Sequence, residues 1–237
     1  MKTLPMKYIG SELELFAHAH HWKSYYQRFI KPHLKGRVLE VGAGIGATTE
    51  ILCDGSQTEW LCLEPDVELN RQIADAIHRK ALPTCCRNRT GTIQDLERDD
   101  KFNTILYIDV LEHIAEDREE LCCAASHLGP AGKLIILSPA HPCLYSPFDK
   151  SIGHFRRYTR RSLAKIAPAG LTCKRLIYLD SVGLLASGVN RLFLQQSMPQ
   201  LRQILFWDRV LIPASRLLDP CLGYALGKSV YALWEHR

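Results

Sequence analysis

The sequence predicts an α/β fold: a mainly parallel sheet with helices on both faces. Three observations carry that expectation. Short apolar runs alternate with stretches of helical spacing through the first three quarters of the chain. One run, Val38-Leu39-Glu40-Val41, drives into Gly42-Ala43-Gly44-Ile45-Gly46, with glycines at alternate positions. A second run, Trp60-Leu61-Cys62-Leu63, ends at Glu64. Glycine has no Cβ and tolerates positive φ, so a buried strand ending in such a turn brings backbone N–H groups close to a ligand. A carboxylate at the tip of the neighbouring strand accepts hydrogen bonds from both hydroxyls of a ribose. Together they point to a nucleotide-like cofactor at the carboxyl end of the sheet.

The elements follow in order. Residues 11–34 carry Leu13, Leu15, Phe16, Trp22, Tyr25, Tyr26 and Phe29 near helical spacing, and Pro32 ends the segment. A strand at 37–41 enters the glycine turn and a helix over 46–53 leaves it. A strand at 59–63 and a helix over 67–80 come next, then a short third strand at Thr92–Leu96. Phe102–Ile108 reads as a buried strand ending at Asp109, followed by a helix over 115–127. The Gly129-Pro130-Ala131-Gly132 turn leads into a strand from Lys133 to Leu137. Beyond it lie a basic, aromatic loop from Tyr145 to Arg161, a short helix stopped by Pro168 and Gly170, and a strand at 173–179. Residues 181–226 are apolar and interrupted by Pro199, Pro213 and Pro220, as two or three broken amphipathic helices would be. A last strand spans Ser229 to Trp234. The expected organisation is a helical cap (1–34), a cofactor-binding core (35–180), a helical lid or insertion (181–226) and a final strand of the core (227–237).

A chain of 237 residues suits one domain with an elaboration, and its formal charge of +5 does not by itself indicate a nucleic-acid partner. The nine cysteines include two adjacent pairs, Cys85-Cys86 and Cys122-Cys123, but no C-x-x-C knuckle. They read as reduced structural thiols of a cytoplasmic protein. Met1 to Lys7 lacks the apolar core of a signal peptide, and Asn190 and Arg191 interrupt the best candidate for a membrane span. Peripheral membrane contact stays open.

Taken in sequence, these residues resemble class I S-adenosylmethionine-dependent methyltransferases. Glu40-x-Gly42-x-Gly44-x-Gly46 matches that family's first motif, and Glu64-Pro65-Asp66 its acidic second motif. Gln94-Asp95-Leu96 lies where the family often contacts adenine. Asp109-Val110-Leu111-Glu112-His113 matches the fourth-strand motif, and Leu128-Gly129-Pro130-Ala131-Gly132-Lys133-Leu134 the usual L-x-P-G-G-x-L turn, with Ala131 in place of a glycine. The resemblance covers about residues 35–175 and implies a Rossmann-like sheet of seven strands, the last antiparallel. The Tyr145-x-x-x-Asp149-x-x-x-Gly153-His154-Phe155-Arg156-Arg157-Tyr158 segment resembles bacterial small-molecule and glycan-pathway members. The N-P-P-Y-type motif of DNA and protein amide methylases is absent.

By that resemblance, Gly42, Ala43, Gly44 and Gly46 would let the backbone pass close to the methionine moiety of S-adenosyl-L-methionine. Glu40 would orient the turn or help hold the ammonium. Glu64, with Pro65 beside it, would bind the ribose, Gln94, Asp95 and Leu96 the adenine edge, and Asp109, Val110 and Leu111 the wall near the sulfonium. An NAD-dependent oxidoreductase is the alternative for a glycine turn, although its glycines are usually spaced G-x-G-x-x-G. A non-catalytic binding protein on the same fold is a second alternative.

Methyl transfer from a sulfonium is an in-line displacement on an activated carbon, so the protein mainly aligns the reactants and excludes water. A hydroxyl acceptor benefits from a general base. His113 and His154 are the candidates, since imidazole titrates near neutral pH; a helix-capping or packing role for His113 and a structural hydrogen bond for His154 are the alternatives. Asp109, Glu112, His113 and His154 also have the chemistry of a hard-cation site, but no metal is expected. Arg156 and Arg157, with Tyr145 and Tyr158, would bind a small-molecule or lipid-like acceptor, and their charge suits an anionic one. The 181–226 segment would pack on the domain, enclose the acceptor or meet a membrane or partner.

Overall fold

The computed structural model describes residue 8 and residues 12–193 and 199–236. The opening seven residues and the start of the expected first helix fall outside the described residues, as does Leu194 in the insertion. Two helices, α1 (Glu12–Ala17) and α2 (His20–Ile30), precede the sheet. The core then runs β1 (Arg37–Val41), α3 (Thr49–Leu52), β2 (Glu59–Glu64), α4 (Val67–His78), β3 (Cys86–Thr90), β4 (Phe102–Ile108), α5 (Asp117–Ser126) and β5 (Leu128–Pro139). After it come α6 (Pro147–Ser151), α7 (Arg160–Lys165), β6 (Leu171–Leu179), α8 (Ser181–Phe193), α9 (Leu201–Phe206), α10 (Ile212–Cys221) and β7 (Ser229–His236). The seven strands are ordered β3-β2-β1-β4-β5-β7-β6. Neighbours from β3 to β5 pair in parallel, and β7 is antiparallel to both β5 and β6.

Strands in the middle of a doubly covered parallel sheet bury both faces, and so read as continuous apolar runs. Val38 and Leu39 of β1 are both fully buried, as are Ile105, Leu106 and Tyr107 of β4. One face packs Val38, Trp60 and Leu106 against Trp22, Tyr25 and Phe29 of α2 and against Ile212 of α10. The other packs Leu39, Ile105 and Ile136 against Leu121 of α5 and Leu163 of α7.

Two expectations are corrected. The third strand is Cys86–Thr90, not Thr92–Leu96, and Ile93–Asp95 is a 3-10 turn. Asp95 Oδ2 accepts from the Thr92 N–H at 2.8 Å and from its hydroxyl at 2.9 Å, a reciprocal cap that closes the turn. The true strand is a polar edge strand, Cys-Arg-Asn-Arg-Thr, and so lacks an apolar run. Likewise β5 begins at Leu128 and carries the expected Gly-Pro-Ala-Gly turn within it, with a register shift opposite Phe102 and Thr104 and Ala131 at φ 53°.

The described residues of 181–226 form α8, α9 and α10, with a π-type turn over Trp207–Leu211 joining the last two. Three buried aspartates bind this insertion to the domain. Asp219 accepts from the Tyr25 hydroxyl at 2.6 Å and from the backbone N–H groups of Asp180 and Ser181 at 2.8 and 3.0 Å. Asp180 accepts from the Trp207 indole and the Ser215 hydroxyl, both at 2.7 Å. Asp208 accepts from the N–H groups of His21 and Trp22, at the start of α2. The outer surface leaves Leu217, Leu218, Leu222 and Leu226 exposed. Among the described residues no helix is long and apolar enough to cross a membrane.

Candidate active site

The site is built at the carboxyl ends of β1, β2 and β4. Gly42 and Gly44 adopt φ values of +67° and +58°, a region costly for other residues. A Cβ on Gly42 would come within 2.6 Å of Val110 Cγ2, so only glycine lets the turn approach the end of β4. Gly44 N–H donates to Glu64 Oε2 at 2.8 Å, and Asp66 N–H to Glu64 Oε1 at 3.0 Å. Burial raises the Glu64 carboxyl above its usual range, opposed by those two backbone donors. Glu40 is buried behind the turn, where its Oε2 accepts from Thr49 Oγ1 at 2.6 Å and Trp60 Nε1 at 2.9 Å. Those bonds brace the turn from below.

Asp109 closes β4 with φ 54°, its N–H bonded to Leu137 O at 2.8 Å. Its side chain is reachable by solvent yet set deep among protein atoms, as at the bottom of a crevice. That setting pushes its carboxyl up to about 6, with the His154 ring opposing the shift. Val110 faces Gly42, while Leu111 is fully buried in the core. Tyr8 lies against this region: its N–H donates to Asp66 Oδ2 at 2.7 Å, and the Tyr8 and His113 ring centres are 5.9 Å apart. Farther along the sheet edge, Gln94 bonds Glu120 at 2.8 Å and Leu96 is buried, leaving Asp95 in its cap.

The two histidines come together, with ring centres 4.5 Å apart. His154 is buried, and its Nδ1 lies 2.9 Å from Asp149 Oδ1. Burial alone would raise the Asp149 carboxyl, but hydrogen bonds from His154, Arg157 and Ser146 hold it well below the usual carboxylate range. The other ring nitrogen, Nε2, lies 3.8 Å from Glu112 Oε1. Both Glu112 oxygens are buried without a hydrogen-bond partner among the described residues, and burial pushes this carboxyl well up. His113 is pushed down to about 4 by burial and by the neighbouring His154, so it is neutral near pH 7. Ligand atoms of Glu112, His113 and His154 lie within 4.8 Å of one another, a compact mixed oxygen and nitrogen cluster.

Next to this cluster, a cavity of about 740 Å³ opens between the 141–158 loop and the insertion. Tyr145 and Arg157 line it, with the Tyr145 hydroxyl bonded to His154 O at 2.6 Å. Arg156 and Tyr158 do not reach it. Arg156 pairs with Asp117 at 2.6 Å and the Tyr158 hydroxyl donates to the same carboxylate at 2.7 Å, which fastens the loop to α5. Sequence reasoning passed over two residues. Asp149 stands five positions before His154, a spacing that announces nothing outside regular structure. Lys228 follows a glycine at the end of the insertion, and its Nζ sits 4.6 Å from the centre of the Trp207 ring. At the opposite, amino-terminal end of β3, Cys53, Cys85 and Cys86 also converge, with Cys53 Sγ 3.5 and 3.6 Å from the other two sulfurs.

A sheet of this order, a glycine turn facing an acidic strand tip, and a polar cluster beyond β4 define an α/β fold of the nucleotide-binding type. The family model for the methyltransferase domain matches residues 16–173, and the chain belongs to that family. Two proteins named demethylmenaquinone methyltransferase, from Tropheryma whipplei strains Twist and TW08/27, are 29% identical over 150 residues, 62% of this chain. The match spans only 58% of the length of those relatives. Among solved structures, geranyl diphosphate methyltransferase in complex with SAM superposes with a TM-score of 0.65 at 13% identity, covering 96% of this chain and 90% of that one. A S-adenosylmethionine-dependent methyltransferase from Clostridium acetobutylicum gives 0.57 at 11% identity, covering 92% of each. At such identities the likeness is one of fold.

Proposed function

We propose that this methyltransferase acts on a small-molecule, lipid-like or glycan-precursor acceptor, at oxygen, with the donor in the crevice between Gly42–Gly46, Glu64 and Asp109. The fit of the donor rests on three features. The turn approaches β4 where a Cβ would clash, Glu64 offers an acidic strand tip, and Asp109 sets a carboxylate near the expected place of a cationic sulfur. Bound there, S-adenosylmethionine supplies a methyl group already activated for displacement. What remains for the protein is to place the acceptor in line, exclude water and take up a proton.

The observation that carries the reading is the Asp149–His154 pair, joined to the cavity lining through Arg157 and the Tyr145 hydroxyl. Asp149 fixes the ring and its tautomer, and Nε2 is the lone pair available to a hydroxyl proton. We infer that residues 181–226 serve as the acceptor wall, with Tyr145 and Arg157 facing the acceptor from the loop. The acceptor named for the T. whipplei relatives also fits a small-molecule reading. The test is transfer of a radiolabelled methyl group from S-adenosylmethionine to alcohol and phenol acceptors, by wild-type protein and His154→Ala. Ether product from the wild type and retained donor binding without transfer by the variant are expected. Methyl groups found only on nitrogen or carbon, or undiminished transfer by the variant, would overturn the assignment.

A further inference from the structure

The acceptor cavity has a polarity that the fold alone does not require. Phe16, Phe148, Ile204, Phe206 and Trp207 give it an apolar body. Three cations, Arg157, Arg202 and Lys228, also line it, and among the described residues no carboxylate does. Arg202 is exposed.

The other two are unusual. Arg157 is mostly buried and grips Asp149 with Nε at 2.7 Å and Nη2 at 2.9 Å, yet its Nη1 is sealed from solvent without a hydrogen-bond partner. A buried guanidinium nitrogen left unpaired costs free energy. Among the described residues, Lys228 Nζ likewise has no carboxylate within ion-pair distance; the nearby Asp180 spends its oxygens on Trp207, Ser215 and the Gly183 N–H. Burial lowers the Lys228 ammonium from its usual range, Asp180 opposes that shift, and Arg157 adds to it by like-charge repulsion. Two cations held together with one counter-ion already committed form a receptor for an anion.

We propose that the acceptor is an anionic amphiphile: a phosphate-bearing head held by Arg157 and Lys228, with its hydrocarbon part between α6, α8 and α9. This rests on the methyltransferase reading above and specifies its acceptor class. Phosphate suits the pair because its several oxygens can engage the one uncommitted guanidinium nitrogen, Nη1, and the ammonium together. A cavity of about 740 Å³ is of small-molecule size.

The test is calorimetry below the micelle concentration with dodecyl phosphate, dodecanol and inorganic phosphate, alongside S-adenosylmethionine. Dodecyl phosphate should bind at least tenfold more tightly than either dodecanol or inorganic phosphate. Lys228→Gln should lose about tenfold for dodecyl phosphate and nothing for dodecanol, while keeping donor binding. Lys228 is the informative position, because replacing Arg157 also strands buried Asp149. Equal affinity for dodecanol and dodecyl phosphate would overturn the proposal, as would inorganic phosphate matching the amphiphile or an unaffected Lys228→Gln. Gly44→Arg separates the two readings: it should abolish donor binding and leave dodecyl phosphate binding intact. Loss of donor binding alone in the wild type would refute the donor crevice, not the amphiphile site.

Discussion

Asp149 Oδ1 lies 2.9 Å from Nδ1 of His154, and both groups are buried behind Arg157, which lines the cavity. The carboxylate is held in place from its other side by Arg157 and by the Ser146 N–H at 2.8 Å. This arrangement presents one imidazole lone pair in one direction. Removing the ring by His154→Ala should lower kcat by about 10²–10⁴ without weakening donor binding. Steady-state kinetics with calorimetry would check it; a kcat within threefold of wild type would remove His154 from the chemistry.

The glycine turn makes a separate prediction. Gly44 donates to Glu64 and sits at φ +58°, and a Cβ there would meet Leu13 first, at 3.7 Å. Gly44→Arg places a bulky side chain over the turn and should abolish S-adenosylmethionine binding, while circular dichroism stays that of the wild type. Equal donor affinity in both proteins would place the donor elsewhere.

Glu40 ties stability to pH. Burial raises its carboxyl to about 7 from an ordinary 4.5, opposed by hydrogen bonds from Thr49 and Trp60. The folded protein therefore holds this proton between pH 4.5 and 7 where the unfolded chain has released it. The resulting stability is full below the unfolded value and is lost as pH rises through about 7. Between pH 5 and 8 the wild type should lose up to about 3 kcal/mol relative to Glu40→Gln, measured by urea denaturation of both. Parallel pH profiles would show that Glu40 does not titrate in this range.

Asp219 fastens the insertion. It satisfies the Tyr25 hydroxyl and two backbone N–H groups, all buried. Asp219→Ala leaves three donors unpaired and should cost roughly 3 kcal/mol or more, against about 1 kcal/mol for Tyr25→Phe. Thermal and urea unfolding would measure both. A cost for Asp219→Ala no larger than that for Tyr25→Phe would show that the anchor lies elsewhere.

Much of the core was legible because its signals are local. The apolar runs of β1, β2 and β4, the alternate glycines and Glu64 each declare themselves within a few residues. Helix α4 is announced by Asp66, whose carboxylate caps its Glu68 and Leu69 N–H groups at 2.8 and 3.0 Å. What escaped depends on distant partners. The strand β3 is polar because it is an edge, and Thr92–Leu96 imitates a strand while its side chains close a turn. Asp180, Asp208 and Asp219 look like interruptions of an apolar segment until Trp207, Trp22 and Tyr25 are seen against them. Arg156 and Arg157 are indistinguishable as neighbours in a basic loop, yet one fastens the loop to Asp117 and the other lines the cavity.

Leu179 at the end of β6 pairs with Ser229 at the start of β7, so the polypeptide between them leaves and re-enters the sheet at a single point. If this segment is the proposed acceptor wall, it is an exchangeable cassette: its replacement would alter which molecule is methylated while the proposed donor crevice, on other strands, keeps its shape. The exchange has one condition. Because Asp208 grips the first turn of α2 and Asp219 grips Tyr25, a transplanted cassette must bring a matching α2 with it. On the proposed function, acceptor preference would thus be inherited as a pair of sequence-distant pieces, one before the first strand and one before the last.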